Sequence, residues 1–319
     1  MRGSPSTAIR HPRPERRSST AGSKPLSVAT SFDPSTDNYG VMGNPVSHSR
    51  SPRIHEAFAA QCGQTLRYHA ILVQPSGFER ALGEFQSRGG KGLNITIPFK
   101  ADAFRAVDKP TSRAERAGAV NTIWFDARGE RYGDTTDGTG LIRDLRRNGV
   151  VLEHRRILVI GAGGAVHGVL GELIGEHPKH IVLVNRTLAR ARALEHRFSG
   201  ADCRLSVAGF DELHGRLFDV VINGTSLSLM GELPPLPDGI LADRACCYDM
   251  VYGDTDTPFV QWARTHGAAT ALDGLGMLVE QAAESFFIWR GVRPQVEPVI
   301  RMLREQQTTD SQSWRNRPR

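Results

Sequence analysis

Two charged residues, Lys100 and Asp137, stand at places where α/β proteins often hold ligands. Lys100 comes just after the run Leu93–Pro98, in which apolar and polar residues alternate as they do in a half-buried strand. The carboxyl end of a strand is where open α/β sheets bind ligands, and a lysine there can carry a proton to a reacting oxygen. Asp137 precedes a predicted helix. Taken singly, a surface lysine and a helix N-cap are the ordinary interpretations of these two residues.

Polar side chains lie close to these positions along the chain. The predicted strand has two faces: Leu93, Ile95 and Ile97 lie on one, and Asn94 and Thr96 lie on the other. Ser47, Ser49 and Ser51 alternate in a loop that ends at Pro52. Alternate serines in an extended loop can bind a carboxylate or hydroxyl groups, while one serine before a proline can simply cap a helix. The spacing alone does not decide between these interpretations.

A cofactor pattern lies at Ile157–Ala165, which reads Ile-Leu-Val-Ile-Gly-Ala-Gly-Gly-Ala. The apolar run predicts a buried strand, and the turn leads into a predicted helix. Glycines in such a turn let the backbone approach a pyrophosphate, and the helix N-terminus offers unpaired N–H groups to it. The third glycine of the pattern is displaced, because Val166 stands in its place and Gly168 follows two positions later. A tight turn without a ligand is the alternative.

The choice between NAD and NADP depends on the end of the next predicted strand. Val184 is followed by Asn185, Arg186 and Thr187, with Arg190 a short distance further on. Enzymes that use NAD usually place an Asp or Glu here to hold the ribose 2′-hydroxyl, and this chain has neither. Two guanidinium groups and a hydroxyl suit a 2′-phosphate instead. The pattern therefore favours NADP, and the alternative is that both arginines face solvent at the start of a helix.

Alternating strands and helices must position these residues. In the first part of the chain we expect strands at 39–42, 67–73, 92–97 and 120–125, a hairpin around 128–134, and helices at 51–61, 77–87 and 139–148. A second series has strands at 156–160, 180–184, 204–207, 218–223 and 245–251, with helices at 165–176 and 188–198. Helical stretches at 275–289 and 296–306 follow. Alternation with short connections indicates parallel sheets, so the predicted class is α/β, with two α/β domains and a cleft between them.

Composition and charge argue against several other classes of protein. The chain has 319 residues, 39% of them hydrophobic and 23% charged, as in an ordinary globular protein. Its net charge of +6 comes from the two ends, because residues 1–36 and 301–319 together carry 11 Lys and Arg against four Asp and Glu. The body between them carries 29 basic and 30 acidic residues. A protein that binds nucleic acid or a membrane surface would therefore depend on the ends alone.

Metal, disulfide and membrane-spanning proteins also fit poorly. The four cysteines, Cys62, Cys203, Cys246 and Cys247, show no disulfide or metal-binding spacing, and free buried thiols are expected. The 11 histidines form no HExxH or HxH pair, so no metal site is expected. The most apolar stretch, which begins at Ile157, is too short and too interrupted to cross a bilayer.

Eight motifs together resemble those of the shikimate dehydrogenase family. They are Gly43–Pro52, Asn94–Lys100, Ala117–Thr122, Thr136–Gly140, Gly161–Ala165, Asn185–Thr187, Tyr248–Tyr252 and Asp273–Ala283, in the family's order and at its approximate spacings. The resemblance covers residues 39–300. Two departures fall on the cofactor side: Val166-His167 in the glycine turn, and Gly224, where the family often has alanine.

The resemblance implies domains and site residues. It implies a substrate-binding and catalytic domain at 37–138 plus 274–306 and a Rossmann-like NADP-binding domain at 139–273. Outside the resemblance, residues 1–36 are rich in Ser, Arg and Pro without hydrophobic periodicity, so we expect a disordered basic extension there, with a transit-like segment or a misplaced start as the alternatives. A flexible tail is expected at 307–319. Lys100 and Asp137 match the catalytic pair. The implied substrate-binding residues are Ser49, Ser51, Thr96, Asn121, Tyr252 and Gln281. The implied cofactor-binding residues are Gly161, Ala162, Gly163, Gly164, Ala165, Asn185, Arg186, Thr187 and Arg190, with Met250 and Gly274 near the nicotinamide.

The implied reaction is the reversible, NADPH-dependent reduction of 3-dehydroshikimate to shikimate, a cytoplasmic step of chorismate and aromatic amino acid biosynthesis. Hydride transfer to a ketone develops negative charge on its oxygen, which Lys100 would stabilise and protonate with the assistance of Asp137. One alternative is a quinate/shikimate dehydrogenase of broader specificity. Another alternative is a catalytically silent relative that senses the metabolite. The presence of both Lys100 and Asp137 argues against it. The oligomeric state is open, a homodimer included, and neither nucleic acid nor a membrane is an expected partner.

Overall fold

The computed structural model describes Phe32, residues 35–200 and residues 203–315, with side chains up to residue 306. The chain forms two six-stranded sheets with helices packed on them, which confirms the predicted α/β class. The predicted disordered extension at 1–36 lies outside the described residues, except for Phe32, Ser35 and Thr36.

In the first sheet, two neighbouring strands run parallel, so the residues that follow them lie at the same edge of the sheet. Its strands are β1 (Asp37–Gly43), β2 (Leu66–Leu72), β3 (Gly92–Ile95), β4 (Lys109–Pro110), β5 (Thr122–Phe125) and β6 (Arg131–Asp134), in the order β2-β1-β3-β5-β6-β4. β1 pairs in parallel with β2 and β3, whereas β5 runs antiparallel to β3 and β6. Because β1 and β3 are parallel neighbours, the loops after them start side by side.

Five helices lie between the strands of the first sheet or follow them along the chain, and the last of these helices packs its apolar residues into a core cluster of the second sheet. They are α1 (Ser51–Gln61), α2 (Phe78–Ser87), α3 (Lys100–Ala106), α4 (Ser112–Ala117) and α5 (Asp137–Arg147). α2 buries Leu82 and Phe85, which belong to one core cluster with Leu93 and Ile95 of β3. The spacing of the buried residues along α2 is that of an amphipathic helix. This packing fixes β3 and therefore the start of α3, which follows it closely.

The second sheet is parallel throughout. Its strands are β7 (Arg156–Ile160), β8 (His180–Val184), β9 (Leu205–Ala208), β10 (Phe218–Asn223), β11 (Leu241–Asp249) and β12 (Thr270–Leu272), in the order β12-β11-β10-β7-β8-β9. The helices α6 (Gly164–Gly175), α7 (Leu188–Arg197) and α8 (Pro258–Thr265) connect them. Ile157 and Val159 of β7 lie in one core cluster, and Leu158 and Ile160 lie in another. The strand is therefore covered on both faces, as its continuous apolar run predicts.

The end of the chain returns to the first sheet. α9 (Leu275–Arg290) and α10 (Glu297–Arg315) follow the second sheet. Phe58 of α1, Phe286 of α9 and Val299 of α10 share one core cluster. α9 also packs along α5. The predicted domain limit between 138 and 139 thus falls inside α5, and the limit between 273 and 274 falls just before α9.

Several details differ from the sequence predictions. The first sheet is mixed rather than parallel, because β5 runs antiparallel to its neighbours, and β4, β12 and α8 were not predicted. β3 ends at Ile95, and Ile97 is 57% exposed, so Ile97 does not share the buried face of Leu93. The short helices α3 and α4 were not predicted, because neither has enough apolar residues to show a helical period. α10 continues to Arg315, beyond the predicted end at residue 306.

All four cysteines are free, as expected. Cys246 and Cys247 are buried in β11, whereas Cys62 and Cys203 are only half-buried, so the prediction of buried thiols is right for two of the four. Within residues 35–200 and 203–315, no helix has the length and apolar character needed to cross a membrane. The same described part of the chain contains no cluster of three or more His, Cys, Asp or Glu side chains suited to hold a metal ion.

Candidate active site

Lys100 and Asp137 form an ion pair at the starts of two helices. Lys100 is the first residue of α3, and its Nζ donates a hydrogen bond to Oδ2 of Asp137, the first residue of α5. Their side chains are 17% and 7% exposed. The N-cap of α5 is Thr136, so the ordinary interpretation of Asp137 as a helix cap is wrong. A carboxylate in the first turn of a helix is favourably placed in the helix dipole.

Two of the predicted substrate-binding residues complete the surroundings of Asp137. Asn121 donates from Nδ2 to Oδ1 of Asp137 at 2.8 Å and to Oε1 of Gln281 at 3.2 Å. Its own Oδ1 accepts from the backbone N–H of Thr136 at 2.8 Å. Asn121 is 2% exposed and Gln281, on α9, is 8% exposed. The structure therefore brings together Lys100, Asp137, Asn121 and Gln281, although they lie on four separate parts of the chain.

A buried polar network that the sequence analysis did not predict lies behind these residues. Asn94 donates from Nδ2 to Ser285 Oγ at 2.9 Å, and Ser285 Oγ lies 2.8 Å from Thr122 Oγ1. Asn94 Oδ1 accepts from Tyr68 OH at 2.7 Å. Burial raises the pKa of Tyr68 well above its usual value, so the phenol stays a neutral donor. Ser285 follows Gln281 by four positions on α9, and this helical spacing was the one signal that could have found it.

The predicted carboxylate-binding serines lie at the start of α1. The N-cap of this helix is Arg50, and Ser51 is its first residue, so no serine occupies the N-cap position. Ser49 Oγ accepts from the backbone N–H of Ser51 at 3.3 Å. The guanidinium carbon of Arg50 lies 5.4 Å from the ring centroid of Tyr252. Tyr252, which follows β11 in the second sheet, thus lies against the side chain of Arg50, the residue between the two serines.

Thr96 is half-buried and lies beside the end of β1. A Cβ placed on Gly43 would come within 2.3 Å of Thr96 Cγ2, so a glycine is needed there. The loops after β1 and β3 are therefore packed tightly against each other; Ser49 and Thr96 belong to these two loops, and Ser51 follows the first of them as the first residue of α1.

The glycine turn lies between β7 and α6. Gly161 has φ +111°, in the region that favours glycine, and its N–H donates to Val184 O at 2.7 Å. Ala162 is buried, and Gly163 is the N-cap of α6 with no side-chain cap. A Cβ on Gly163 would meet no heavy atom within 4 Å, and one on Gly164 would lie 4.0 Å from Lys100 Cβ. The turn therefore leaves an open, uncapped helix N-terminus that fits a pyrophosphate and adjoins the Lys100–Asp137 pair.

The residues predicted to bind the 2′-phosphate follow β8 directly. Asn185 Nδ2 donates to Thr187 O at 2.8 Å, and the N–H of Arg190 donates to the same oxygen at 3.0 Å. Arg186, Thr187 and Arg190 are exposed. The structure thus places two exposed guanidinium groups beside the strand that neighbours the glycine turn.

The remaining cofactor-side residues pack closely around the end of β11. A Cβ on Gly274 would lie 2.2 Å from Met250 O, so only glycine fits there. A Cβ on Gly224 would lie 2.5 Å from Val166 Cγ2 and 3.2 Å from Met250 Sδ. The two departures from the family pattern, Val166 and Gly224, are therefore in contact, and the valine occupies the space that an alanine at 224 would need.

Comparisons with known proteins identify the family. Profiles described as shikimate dehydrogenase substrate binding domain, shikimate/quinate 5-dehydrogenase and shikimate 5′-dehydrogenase C-terminal domain match residues 41–123, 145–230 and 274–304. A protein named shikimate dehydrogenase (NADP(+)) from Alkalilimnicola ehrlichii is 62% identical over 84% of this chain and 99% of its own length. The chain belongs to the shikimate dehydrogenase family.

Solved structures within and around the shikimate dehydrogenase family share the fold. An Ael1 enzyme from Pseudomonas putida is 44% identical, with a TM-score of 0.78 over 84% of this chain and 98% of its own. A shikimate 5-dehydrogenase from Thermus thermophilus, solved in complex with NADP(H) and shikimate, is 29% identical, with a TM-score of 0.75 over 85% and 99%. The two-sheet architecture of this chain is therefore that of the family.

Proposed function

We propose that this chain reduces 3-dehydroshikimate to shikimate with NADPH and catalyses the reverse reaction, as a shikimate dehydrogenase. The observation that carries the proposal is the Lys100–Asp137 ion pair, which adjoins the open N-terminus of α6 at Gly164. A proton donor thus lies beside the place where a dinucleotide fits. The relative from Alkalilimnicola ehrlichii is named for this activity, and the Thermus thermophilus structure holds both ligands.

Lys100 is the proposed proton donor for ketone reduction and the acceptor for the reverse reaction. NADPH, when bound, supplies the hydride. Lys100 stabilises the negative charge that develops on the substrate oxygen and passes it a proton from Nζ. Asp137 orients the ammonium group through its contact with Nζ, and Asn121 holds the other carboxylate oxygen in place. Because both side chains of the pair are largely buried, little water competes for their interaction with the substrate.

The substrate-binding residues divide into two groups in this proposal. Ser49, Ser51 and Tyr252 hold the substrate carboxylate near the N-terminus of α1, which is itself favourable for an anion. Thr96, Asn121 and Gln281 bind the ring hydroxyls. The network of Asn94, Thr122 and Ser285 supports the second group from behind, because it joins β3, β5 and α9 through buried hydrogen bonds.

The cofactor-binding residues are proposed in two places. The turn formed by Gly161, Ala162, Gly163, Gly164 and Ala165 holds the pyrophosphate at the N-terminus of α6. Arg186, Thr187 and Arg190 hold the 2′-phosphate, with Asn185 fixing the loop, and Met250 and Gly274 border the nicotinamide.

Oxidation of shikimate and of quinate, each with NADP and with NAD, tests the proposal. We expect the highest kcat/KM for shikimate with NADP. A preference for quinate with NAD would contradict it. A quinate/shikimate dehydrogenase of broader specificity is the second candidate, since the profile that matches residues 145–230 is described with both substrates.

Location, assembly and domain limits complete the proposal. Free cysteines suit a reducing compartment, which supports the predicted cytoplasmic location. The body of the chain is nearly neutral, which supports the expectation that nucleic acid is not a partner. The proposed domains at 37–138 plus 274–306 and at 139–273 each contain one of the two sheets, which supports this division. Sedimentation of the full chain would distinguish a monomer from a homodimer.

A further inference from the structure

Arg50 is a charged residue of the site to which the proposed function gives no role. It stands between Ser49 and Ser51, and its side chain is 20% exposed. Its Nη2 donates to Asp254 Oδ1 at 2.5 Å, and its guanidinium carbon lies 5.4 Å from the ring centroid of Tyr252. These two contacts hold the guanidinium of the loop after β1 against the loop after β11, at the carboxylate end of the proposed site.

The substrate of the proposed reaction carries a carboxylate, and a cation is the natural partner for it. Lys100 is engaged with Asp137 at the other end of the site. Without Arg50, the carboxylate would meet only the hydroxyls of Ser49, Ser51 and Tyr252 and the partial charge of the N-terminus of α1. An arginine beside a carboxylate gives a stronger and more directional interaction than neutral hydroxyls do.

The ion pair with Asp254 does not prevent Arg50 from binding a second carboxylate. A guanidinium group has five N–H donors, and the contact with Asp254 uses Nη2. Arg147 of the same chain shows the arrangement, because its Nη2 contacts Asp144 while its Nη1 donates to Glu297 Oε2 at 2.8 Å. Asp254 is 62% exposed, so water screens its charge and leaves part of the charge of Arg50 uncompensated.

We propose that Arg50 binds the carboxylate of the substrate and gives the enzyme its preference for an anionic ring, an inference that rests on the proposed function. Asp254 and the ring of Tyr252 hold the guanidinium in place from the other side of the site. The rival explanation is a latch, in which the Arg50–Asp254 pair only keeps the two loops together.

The two explanations differ in their response to a substrate without the charge. The test compares oxidation by NADP of shikimate and of its neutral methyl ester, in the wild type and in Arg50→Gln. We expect Arg50→Gln to raise the KM for shikimate about 10- to 100-fold, with kcat changed less than about threefold, since the lost contact is the same in the ground and transition states. For the ester we expect KM to change less than about threefold, because no charged hydrogen bond is lost. Arg80→Gln, which removes an exposed ion pair with Glu84, is the matched control, and it should change neither KM nor kcat for either substrate.

Asp254→Asn separates the proposal from the latch. A latch requires both partners, so Asp254→Asn would then raise the KM for acid and ester equally, as Arg50→Gln would. If Arg50 binds the carboxylate, Asp254→Asn keeps the preference for the acid over the ester. Equal effects of Arg50→Gln on the two substrates, or none on either, would overturn the proposal.

A second variant covers the case in which Arg50→Gln does not fold. Arg50→Lys keeps the positive charge but offers fewer donors, and it lacks the planar fork of the guanidinium group. We expect it to lower the preference for the acid over the ester. If Arg50→Lys left the ratio of kcat/KM for the acid to kcat/KM for the ester unchanged, that result would count against a guanidinium contact.

A binding measurement covers the case in which the wild type does not oxidise shikimate at all. The proposed function is then wrong, and the role of Arg50 is judged from thermal shifts with shikimate and its methyl ester. Equal shifts for the two compounds, or none, would overturn the inference, whereas a shift for the acid that Arg50→Gln abolishes would support it.

Discussion

Asn121 donates a hydrogen bond of 2.8 Å to Oδ1 of Asp137, on the side of the carboxylate opposite to the oxygen that Lys100 contacts. Both oxygens of the carboxylate are therefore held, and Asp137 has one orientation available to it. A carboxylate fixed in this way directs Lys100, while the lysine keeps its other two ammonium protons for the substrate.

Replacing Lys100 tests its proposed role as the proton donor. We expect Lys100→Ala to lower kcat about 100- to 10,000-fold, the usual contribution of a general acid, with a much smaller change in KM. Steady-state kinetics with shikimate and NADP give both values. Lys91→Ala, at an exposed lysine, is the control. A large rise in KM with kcat intact would show that Lys100 only binds the substrate.

Asp137→Asn tests the orienting role with little change in shape. The amide keeps the size of the carboxylate but loses its charge, so Lys100 is no longer held. We expect kcat to fall at least about tenfold, since a misplaced catalytic group loses much of its effect. Circular dichroism would verify that α5 is intact. An unchanged kcat would exclude Asp137 from the proton-transfer arrangement.

Arg186→Ala and Arg190→Ala test the preference for NADP. Each removes a cation proposed to contact the 2′-phosphate, so we expect the KM for NADP to rise about 10-fold or more, while the KM for NAD changes little. Initial rates at saturating shikimate measure both. Arg192→Ala, an exposed arginine on α7, is the matched control. Equal changes in KM for the two cofactors would show that these arginines do not bind the 2′-phosphate.

Because Gly224 lies against Val166, we expect a substitution at one position to compensate for a substitution at the other. A Cβ on Gly224 would lie 2.5 Å from Val166 Cγ2, so Gly224→Ala should lower the free energy of unfolding by about 1–3 kcal/mol through overpacking. In a Val166→Ala background the shortest contact of this Cβ is removed, so the same substitution should cost less. Urea unfolding of the two single variants and the double variant measures the coupling. Additive effects would mean that the two residues do not compete for space.

The buried side chain of His55 should make the stability of the folded chain depend on pH. Its burial lowers its pKa to about 3, from a usual value of 6.5. Between these values the unfolded chain binds a proton that the folded chain does not, so the free energy of unfolding falls as the pH is lowered through this range. The slope from this group is at most about 1.4 kcal/mol per pH unit. His55→Phe should flatten the dependence between pH 4 and 6 by about this amount, as measured by urea unfolding, and an unchanged slope would contradict it.

Much of the fold could be predicted because its signals are local. The apolar run Ile157–Ile160 and the glycines after it need no distant partner to indicate a strand, a turn and a helix. The absence of a carboxylate after β8, with Arg186 and Arg190 in its place, is equally local. The family resemblance then supplied the link between Lys100 and Asp137, which are in contact although 37 positions apart.

The rest depends on contacts between distant parts of the chain. Asn94, Thr122 and Ser285 meet because β3, β5 and α9 pack together, and the spacing of Ser285 from Gln281 shows only that these two residues share a face of α9. Arg50 resembles any loop arginine until Tyr252 and Asp254 lie against it. The exposure of Ile97 could not be predicted either, because an alternating pattern does not show where a strand stops.

The return of α9 and α10 to the first sheet has a consequence for how the protein can be divided. The segment between α5 and α9, which contains the whole second sheet, is inserted within the unit that holds Lys100 and Gln281. A fragment that stops before α9 would lack both Gln281 and the helix that covers α1. The inserted segment, by contrast, begins and ends at neighbouring helices, as segments that tolerate transplantation do. Exchanging this segment between relatives should therefore transfer cofactor preference, and it would also replace Tyr252 and Asp254, which lie at the substrate end of the site.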